Sequence, residues 1–314
     1  MAEIAIIGAG IMGHGLALVF ALGGHAVRLT DSREEALAGA PALMRSALAT
    51  LLEAGEVEAG RADAADRVAL CRTLEEAVDG AAVVIEAVTE DPGVKRALFA
   101  ALDAAMPEEA VLASNTSYLD VFPLIPERRQ PHALIAHWYT PPYLIDLVDI
   151  VPGPRTDPSV IATMRALVAA TGHKPVVLTR FVPGYIANRI QSAITLEALR
   201  LIDDGVATAR DIDDAIVHGL ALRLPILGHL AKADFTGLDL MRRALANRTY
   251  EPPPARGRSE TVDGLCAAGR TGVMAGRGFF DWTGRDPAEL FRERDRRLLA
   301  LRRALRAVGR LEGA

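Results

Sequence analysis

Lysine is nearly missing from this 314-residue chain: Lys95, Lys174 and Lys232 are the only three among 35 basic residues. Arginine carries the rest, a bias that reads as base composition rather than function. No basic excess exists either. A formal net charge of -5 argues against the phosphate-backbone contacts that nucleic acid demands. Cysteine is limited to Cys71 and Cys266, far apart and without metal-ligand spacing, which excludes a disulfide framework and a zinc site. No apolar run reaches membrane-spanning length, and "MAEIAIIGAGIMG" lacks the basic segment of a secretory signal. The expectation is a cytoplasmic protein with reduced thiols, no bound metal, and neither nucleic acid nor membrane as partner.

What the chain does have is apolar content, half of its residues, and enough length for one large domain or, more in keeping with its size, two ordinary ones. Up to about residue 180, short β-branched runs alternate with Ala/Leu-rich stretches, the pattern of a mainly parallel sheet with helices on both faces. Seven strands are expected, at residues 4–7, 26–30, 82–85, 111–113, 133–136, 147–151 and 175–178. Between Ser32 and Ala69, an Ala/Leu/Glu-rich segment broken at Gly55 and Gly60 reads as two helices. After "RFVPGY" the pattern becomes helical only, with helices expected over 186–204, 209–218 and 238–246. A Pro-rich stretch, "YEPPPARGRSE", precedes a charged terminal helix from Pro287 to about Leu311. The boundary is expected between residues 181 and 182.

Gly8, Gly10 and Gly13 form G-x-G-x-x-G directly after the apolar run "IAII" and at the head of an Ala/Leu-rich helix, with Ile11 and Met12 inside the turn. Such a turn lets a pyrophosphate approach the backbone and rest on the helix start. Asp31 follows the second strand, where a carboxylate accepts from the ribose hydroxyls and repels a 2′-phosphate. Strand, turn, helix, strand and acid together predict an NAD-binding Rossmann domain at residues 1–181, followed by an all-α domain at 182–314. Arg28 and Arg33 flank Asp31 and leave some room for NADP.

Four further segments, "EAVTEDPGVK", "SNTSYL", "HWYTPPYLIDLVDIVPG" and "VPGYIANRIQ", resemble in order the 3-hydroxyacyl-CoA dehydrogenase family, and with the glycine turn they span nearly the whole chain. The resemblance implies NAD as cofactor, a homodimer formed through the helical domain, and oxidation of a CH–OH group. It makes Glu90, Lys95 and Asn115 cofactor contacts, Ser117 and Asn188 polar contacts to the substrate hydroxyl, and His137 the catalytic base. Neutral imidazole is the side chain best matched to taking a hydroxyl proton near neutral pH. The family's glutamate twelve residues after that histidine is replaced here by Asp149. Strand period turns Asp149 inward, where an isolated carboxylate is costly, and so favours its pairing with His137. Asp146 is the second choice. The plainer roles, a hydrogen-bonded strand-end histidine, a turn serine and a helix-capping asparagine, stay open for His137, Ser117 and Asn188.

The substrate is read from two departures. The segment after Ser32 carries no lysine, and its arginines alternate with acids, so a strong site for CoA phosphates is not evident, although Arg45 or Arg61 can still serve. "TPPY" and "GLALRLPILG" look closer to the gulonate dehydrogenase and lambda-crystallin branch. In that branch a basic residue occupies the position of Arg223, whose fork suits a free carboxylate; a surface ion pair is the plainer role. Thr140 and His229 depart from the family's usual Asn and Pro. A small free hydroxy acid is therefore the leading substrate class, with a 3-hydroxyacyl-CoA as the alternative. A non-catalytic NAD-binding crystallin-like protein is the alternative of another class. "GRGFFDWTG", similar to the family's C-terminal signature, reads as packing.

Overall fold

The computed structural model describes residues 1–247, 250–255 and 257–311, and divides into two compact units, Met1–Arg189 and Ile190–Ala314. The first is built on eight strands: β1 (Glu3–Ile7), β2 (Ala26–Thr30), β3 (Ala69–Leu70), β4 (Val83–Glu86), β5 (Val111–Ser114), β6 (Ala133–Trp138), β7 (Leu147–Pro152) and β8 (Lys174–Val177). They line up as β3-β2-β1-β4-β5-β6-β7-β8, and every neighbouring pair is parallel except β6 and β7. All seven expected strands form. Two-residue β3 was not expected, being too short to show a period.

Strand order reverses between β1 and β4. Alternation along β1 sends Ala5 and Ile7 to one face, where they join a core with Phe99, Leu102 and Ala77. Ile4 and Ile6, equally buried, belong to the other face by the strand period. In an open parallel sheet such a reversal leaves a crevice beyond the strands' carboxyl ends, where ligands bind. Helix α1 (Gly13–Leu22) follows β1 directly, and α2 (Glu34–Glu53) follows β2. The second half of that insertion is not the expected second helix. Gly55, at φ +67°, turns the chain, and only a single 3-10 turn, Ala59–Arg61, follows. Helix α3 (Leu74–Val78) leads into β4, α4 (Pro92–Ala105) joins β4 to β5, and α5 (Pro158–Ala170) joins β7 to β8.

Among its described residues the second unit carries helices and, apart from isolated bridges at Gly272, Arg277 and Asp281, no strand pairing: most of α6 (Ala187–Asp203), then α7 (Ala209–Asp214) running into a π-helical stretch Ala215–Ala221, α8 (Leu224–Thr236), α9 (Leu238–Asn247), α10 (Glu260–Ala267) and α11 (Pro287–Val308). Helix α8 is kinked at Gly228, whose φ of +71° breaks the helical run. Among its described residues the buried apolar side chains are Ile212, Ala233 and Leu299. No helix of the described residues is long and apolar enough to cross a membrane, and none of their His, Cys, Asp and Glu residues cluster as metal ligands.

Candidate active site

The glycine turn is built for close approach. Gly8 lies at φ +105°, and a Cβ there would meet the carbonyl oxygen of Ala87 at 2.6 Å; one on Gly13 would meet the carbonyl oxygen of Gly8 at 1.6 Å. Gly10 differs, since a Cβ on it meets nothing within 4 Å. Two glycines therefore serve the protein's own packing, and the middle one faces an open cradle at the start of α1, as a pyrophosphate requires. Ile11 beside it is largely exposed. Met12 caps α1 through its backbone position alone, and its sulfur accepts a hydrogen bond from the Thr140 hydroxyl. The Asp31 carboxylate accepts from the backbone N–H of Ala9 at 2.7 Å and of Arg33 at 2.8 Å. Arg28 pairs with Glu3 and donates to the Asp79 carbonyl, while Arg33 lies 3.6 Å from Asp31. These contacts fit a cradle for a dinucleotide with a free ribose 2′-hydroxyl.

Glu90 and Lys95 find their first partners in the protein. Lys95, 1% exposed, donates to Glu86 at 2.6 Å, and Glu86 in turn accepts from the Ser114 hydroxyl at 2.5 Å and the Val88 N–H at 2.8 Å. Glu90 clamps the loop after β5. Its carboxylate accepts from the Thr116 hydroxyl at 2.6 Å and from the N–H groups of Ser117, Tyr118 and Leu119, with Lys95 3.5 Å away. Burial works to raise this carboxyl, but the Thr116 hydroxyl, the Tyr118 N–H, Lys95 and the Ser117 N–H together hold it below the ordinary carboxylate range. Asn115 accepts from the Trp138 N–H at 2.9 Å, tying the same loop to β6.

His137 ends up opposite Asp149 because β6 and β7 run antiparallel, with these two residues in register. Ser117 lies 3.1 Å from His137 Nε2, so the hydroxyl donates to that nitrogen when it is unprotonated. On the other side, Asp149 Oδ2 is 3.8 Å from Nδ1, an ion-pair separation beyond hydrogen-bond reach. Asp149 is fully buried, and its Oδ2 accepts instead from the Tyr139 hydroxyl at 2.6 Å. Neither His137 Nδ1 nor Asp149 Oδ1 has a hydrogen-bond partner. Asp146 precedes β7 rather than alternating within it, and its carbonyl accepts from the Lys174 N–H.

Tyr185 closes the site from the chain leaving β8. Gly184 and Tyr185 both take positive φ, +78° and +51°, and this drives the Tyr185 ring inward to 5.0 Å from that of His137. Its hydroxyl donates to the Thr116 carbonyl at 2.6 Å. Burial, and then the charges of Glu90 and Asp149, push the phenol well above its ordinary range, so it stays protonated. Asn188 follows, half-buried at the start of α6. Sequence reading missed Glu86, Tyr139 and Tyr185. The only signal was their place, within two residues of β4's end, of His137 and of the "VPG" turn.

The substrate candidates each have contacts of their own. Arg45 pairs with Asp66 at 3.1 Å and Arg61 donates to the Leu22 carbonyl, so both guanidinium groups already have protein partners. Arg223 belongs to the helical unit, where it donates to the Gly219 carbonyl at 2.7 Å and is exposed. His229 sits beside the Gly228 kink, in the lining of a surface pocket.

Residues 3–181 match the NAD-binding domain model of 3-hydroxyacyl-CoA dehydrogenase, and residues 184–282 match its C-terminal domain model. The chain is 31% identical over 311 residues to 5-formyl-3-hydroxy-2-methylpyridine 4-carboxylate 5-dehydrogenase of Mesorhizobium japonicum, covering 96% of this chain and 98% of that one. It is 33% identical over 321 residues to L-carnitine dehydrogenase of Streptomyces griseus, covering 98% and 90%. A crystal structure of a 5-formyl-3-hydroxy-2-methylpyridine 4-carboxylic acid 5-dehydrogenase, described as an NAD+-dependent dismutase, superposes with a TM-score of 0.87 at 30% identity, covering 99% of this chain and all of that one.

Proposed function

The chain belongs to the 3-hydroxyacyl-CoA dehydrogenase family, and on that premise we propose that it is an NAD-dependent dehydrogenase oxidising the hydroxyl of a small free hydroxy acid to a carbonyl. The observation that carries the chemistry is the polar line Ser117–His137–Asp149, buried beside a glycine cradle with open space at Gly10. Held at the open side of Gly10 and by Asp31, bound NAD+ would supply the acceptor for the hydride that leaves the carbinol carbon. The proton must leave the hydroxyl at the same time, and His137 Nε2 receives it. Ser117 holds the substrate oxygen against that nitrogen, with Asn188 as the second polar contact. As the imidazole gains its proton, the nearby Asp149 charge stabilises the cation. The balance is one C–H pair leaving as hydride, one proton going to the histidine, and a C=O bond formed.

A free acid is preferred to a thioester because relatives 31% and 33% identical over nearly the whole chain are named for a pyridine carboxylate and for carnitine, whereas the acyl-CoA enzymes of known structure match at 27–28%. The partnered state of Arg45 and Arg61 supports the same choice. Arg223 is the cation we assign to the substrate carboxylate. NADH formation should be compared for carnitine, gulonate, 3-hydroxybutyrate and 3-hydroxybutyryl-CoA. A clear preference for the thioester, with Arg223→Ala harmless, overturns the free-acid reading.

Two further assignments complete the proposal. A reducing compartment, the cytoplasm, suits the free thiols of buried Cys71 and exposed Cys266. A homodimer formed by the helical unit suits α6, which has no buried residue along its 17 positions and exposes Ile190 and Ile194 one turn apart.

A further inference from the structure

Tyr139 sits where the sequence pattern gave no reason to look. Its hydroxyl donates to Oδ2 of the buried Asp149 at 2.6 Å, the only direction open to a carboxylate partner. The same Oδ2 is the carboxylate oxygen nearest His137 Nδ1, at 3.8 Å, while the Tyr139 and His137 rings meet edge to face at 4.6 Å. Two buried atoms are left unpartnered on either side of this contact, Nδ1 and Oδ1. An imidazole N–H and a buried carboxylate that face each other normally close into a charge-assisted bond. Here the carboxylate oxygen nearest Nδ1 is drawn to the phenol at 2.6 Å and stays 3.8 Å from the imidazole.

We propose that Tyr139 is a positioning residue for the proton-transfer dyad: its hydroxyl holds the Asp149 carboxylate back from His137 Nδ1. The aspartate charge, 3.8 Å from Nδ1, stays close enough to stabilise the imidazolium once the proton arrives. A fully closed pair stabilises the imidazolium before the reaction as well as during it, and only the difference between the two states accelerates a step. Burial and Asp149 both push the Tyr139 phenol above its ordinary range, so the donor keeps its proton throughout the working pH range. The other titratable groups facing this cluster are Tyr118, acting on Tyr139, and Tyr185, which itself feels Glu90 and Asp149.

The test is a ring titration of histidine-labelled protein by NMR, with the His137 signal assigned from His137→Gln, in four forms: the natural chain, Tyr139→Phe, Asp149→Asn, and the double variant. Removing the phenol proton frees the carboxylate to close on Nδ1, so Tyr139→Phe moves the His137 titration to higher pH, by about one unit. In the Asp149→Asn background the same change moves it by less than about a third of that, because the tyrosine acts through the aspartate. No movement in Tyr139→Phe, or an equal movement in both backgrounds, overturns the proposal. So does a lowered melting temperature with an unmoved titration. The acid limb of kcat/KM follows the ring titration upward in Tyr139→Phe. This inference rests on the proposed dehydrogenase reading for that kinetic arm only. The ring titration needs no substrate, so a chain inactive on every hydroxy acid would sink the proposed function and leave this test standing.

Discussion

His137 and Lys95 illustrate how different two buried polar groups can be. His137 has one nitrogen on a serine hydroxyl and the other facing a carboxylate, and its removal is expected to act on the chemical step. His137→Gln should lower kcat about 10²- to 10⁴-fold while NADH binding, followed by fluorescence titration, stays within threefold of the natural chain. Lys95 is locked between Glu86 and Glu90 at 2.6 and 3.5 Å. Taking away its ammonium strands the wholly buried Glu86 charge, a loss of about 3–5 kcal/mol in comparable pairs. Lys95→Met should therefore show a markedly lower urea midpoint, and its inactivity would reflect folding before cofactor affinity. Equal midpoints for Lys95→Met and the natural chain would contradict that account.

Glu90 gives the loop after β5 a pH dependence whose sign is fixed by its contacts. Its carboxyl is held below the ordinary range in the folded chain, so the stabilisation is fully present above the unfolded value of about 4.3 and is lost as pH falls through the lower folded value. Glu90→Gln should flatten the acid side of the stability curve measured by chemical unfolding, with the loss of stability largest at neutral pH and smallest below the folded value. A parallel downward displacement at every pH would show that the carboxylate's charge plays no part.

At the scale of elements, the glycine turn separates fold from function. Gly13→Ala puts a methyl into the Gly8 carbonyl at 1.6 Å, which requires β1 and α1 to part. Gly10→Ala meets no protein atom within 4 Å. The expected outcome is that Gly10→Ala melts like the natural chain but loses at least about tenfold in NAD affinity, whereas Gly13→Ala loses stability as well. Differential scanning fluorimetry with and without NAD distinguishes them, and an NAD shift retained by Gly10→Ala would remove the cradle from the open side of that residue. Most of this first unit was legible in the chain's order of β-branched runs, because the central strands β1, β4, β5 and β6 are buried on both faces and read as continuous apolar runs. The reversal of β7 was not, since a run such as "LVDIV" carries no direction. That reversal is what sets Asp149 across from His137. Tyr139 and Tyr185 were hidden for a related reason: what makes them part of the site is a hydroxyl's partner far along the chain, Asp149 in one case and the Thr116 carbonyl in the other. The second helix expected after Gly55 failed because helical composition does not survive two glycine breaks within six residues.

For the whole molecule, the helical unit sets the question of assembly. A unit of its length that buries only Ile212, Ala233 and Leu299 among its described apolar side chains has too little core to account for six helices. Leu238, Leu240 and Leu245 on α9 are exposed in the same way as Ile190 and Ile194 on α6. Burying such stripes contributes about 25 cal/mol for each Å² removed from water, and a second copy of the chain supplies a matching surface by symmetry. Light scattering should give twice the 33.5 kDa chain mass. The melting temperature should rise with protein concentration, as it does when folding and association are linked. Ile194→Glu, on the exposed stripe of α6 and six residues beyond Asn188, should shift the mass toward that of one chain and remove the concentration dependence. A monomer already in the natural chain, melting at one temperature across a hundredfold range of concentration, would mean that these helices are stable with their apolar faces in water, and the homodimer would have to be abandoned.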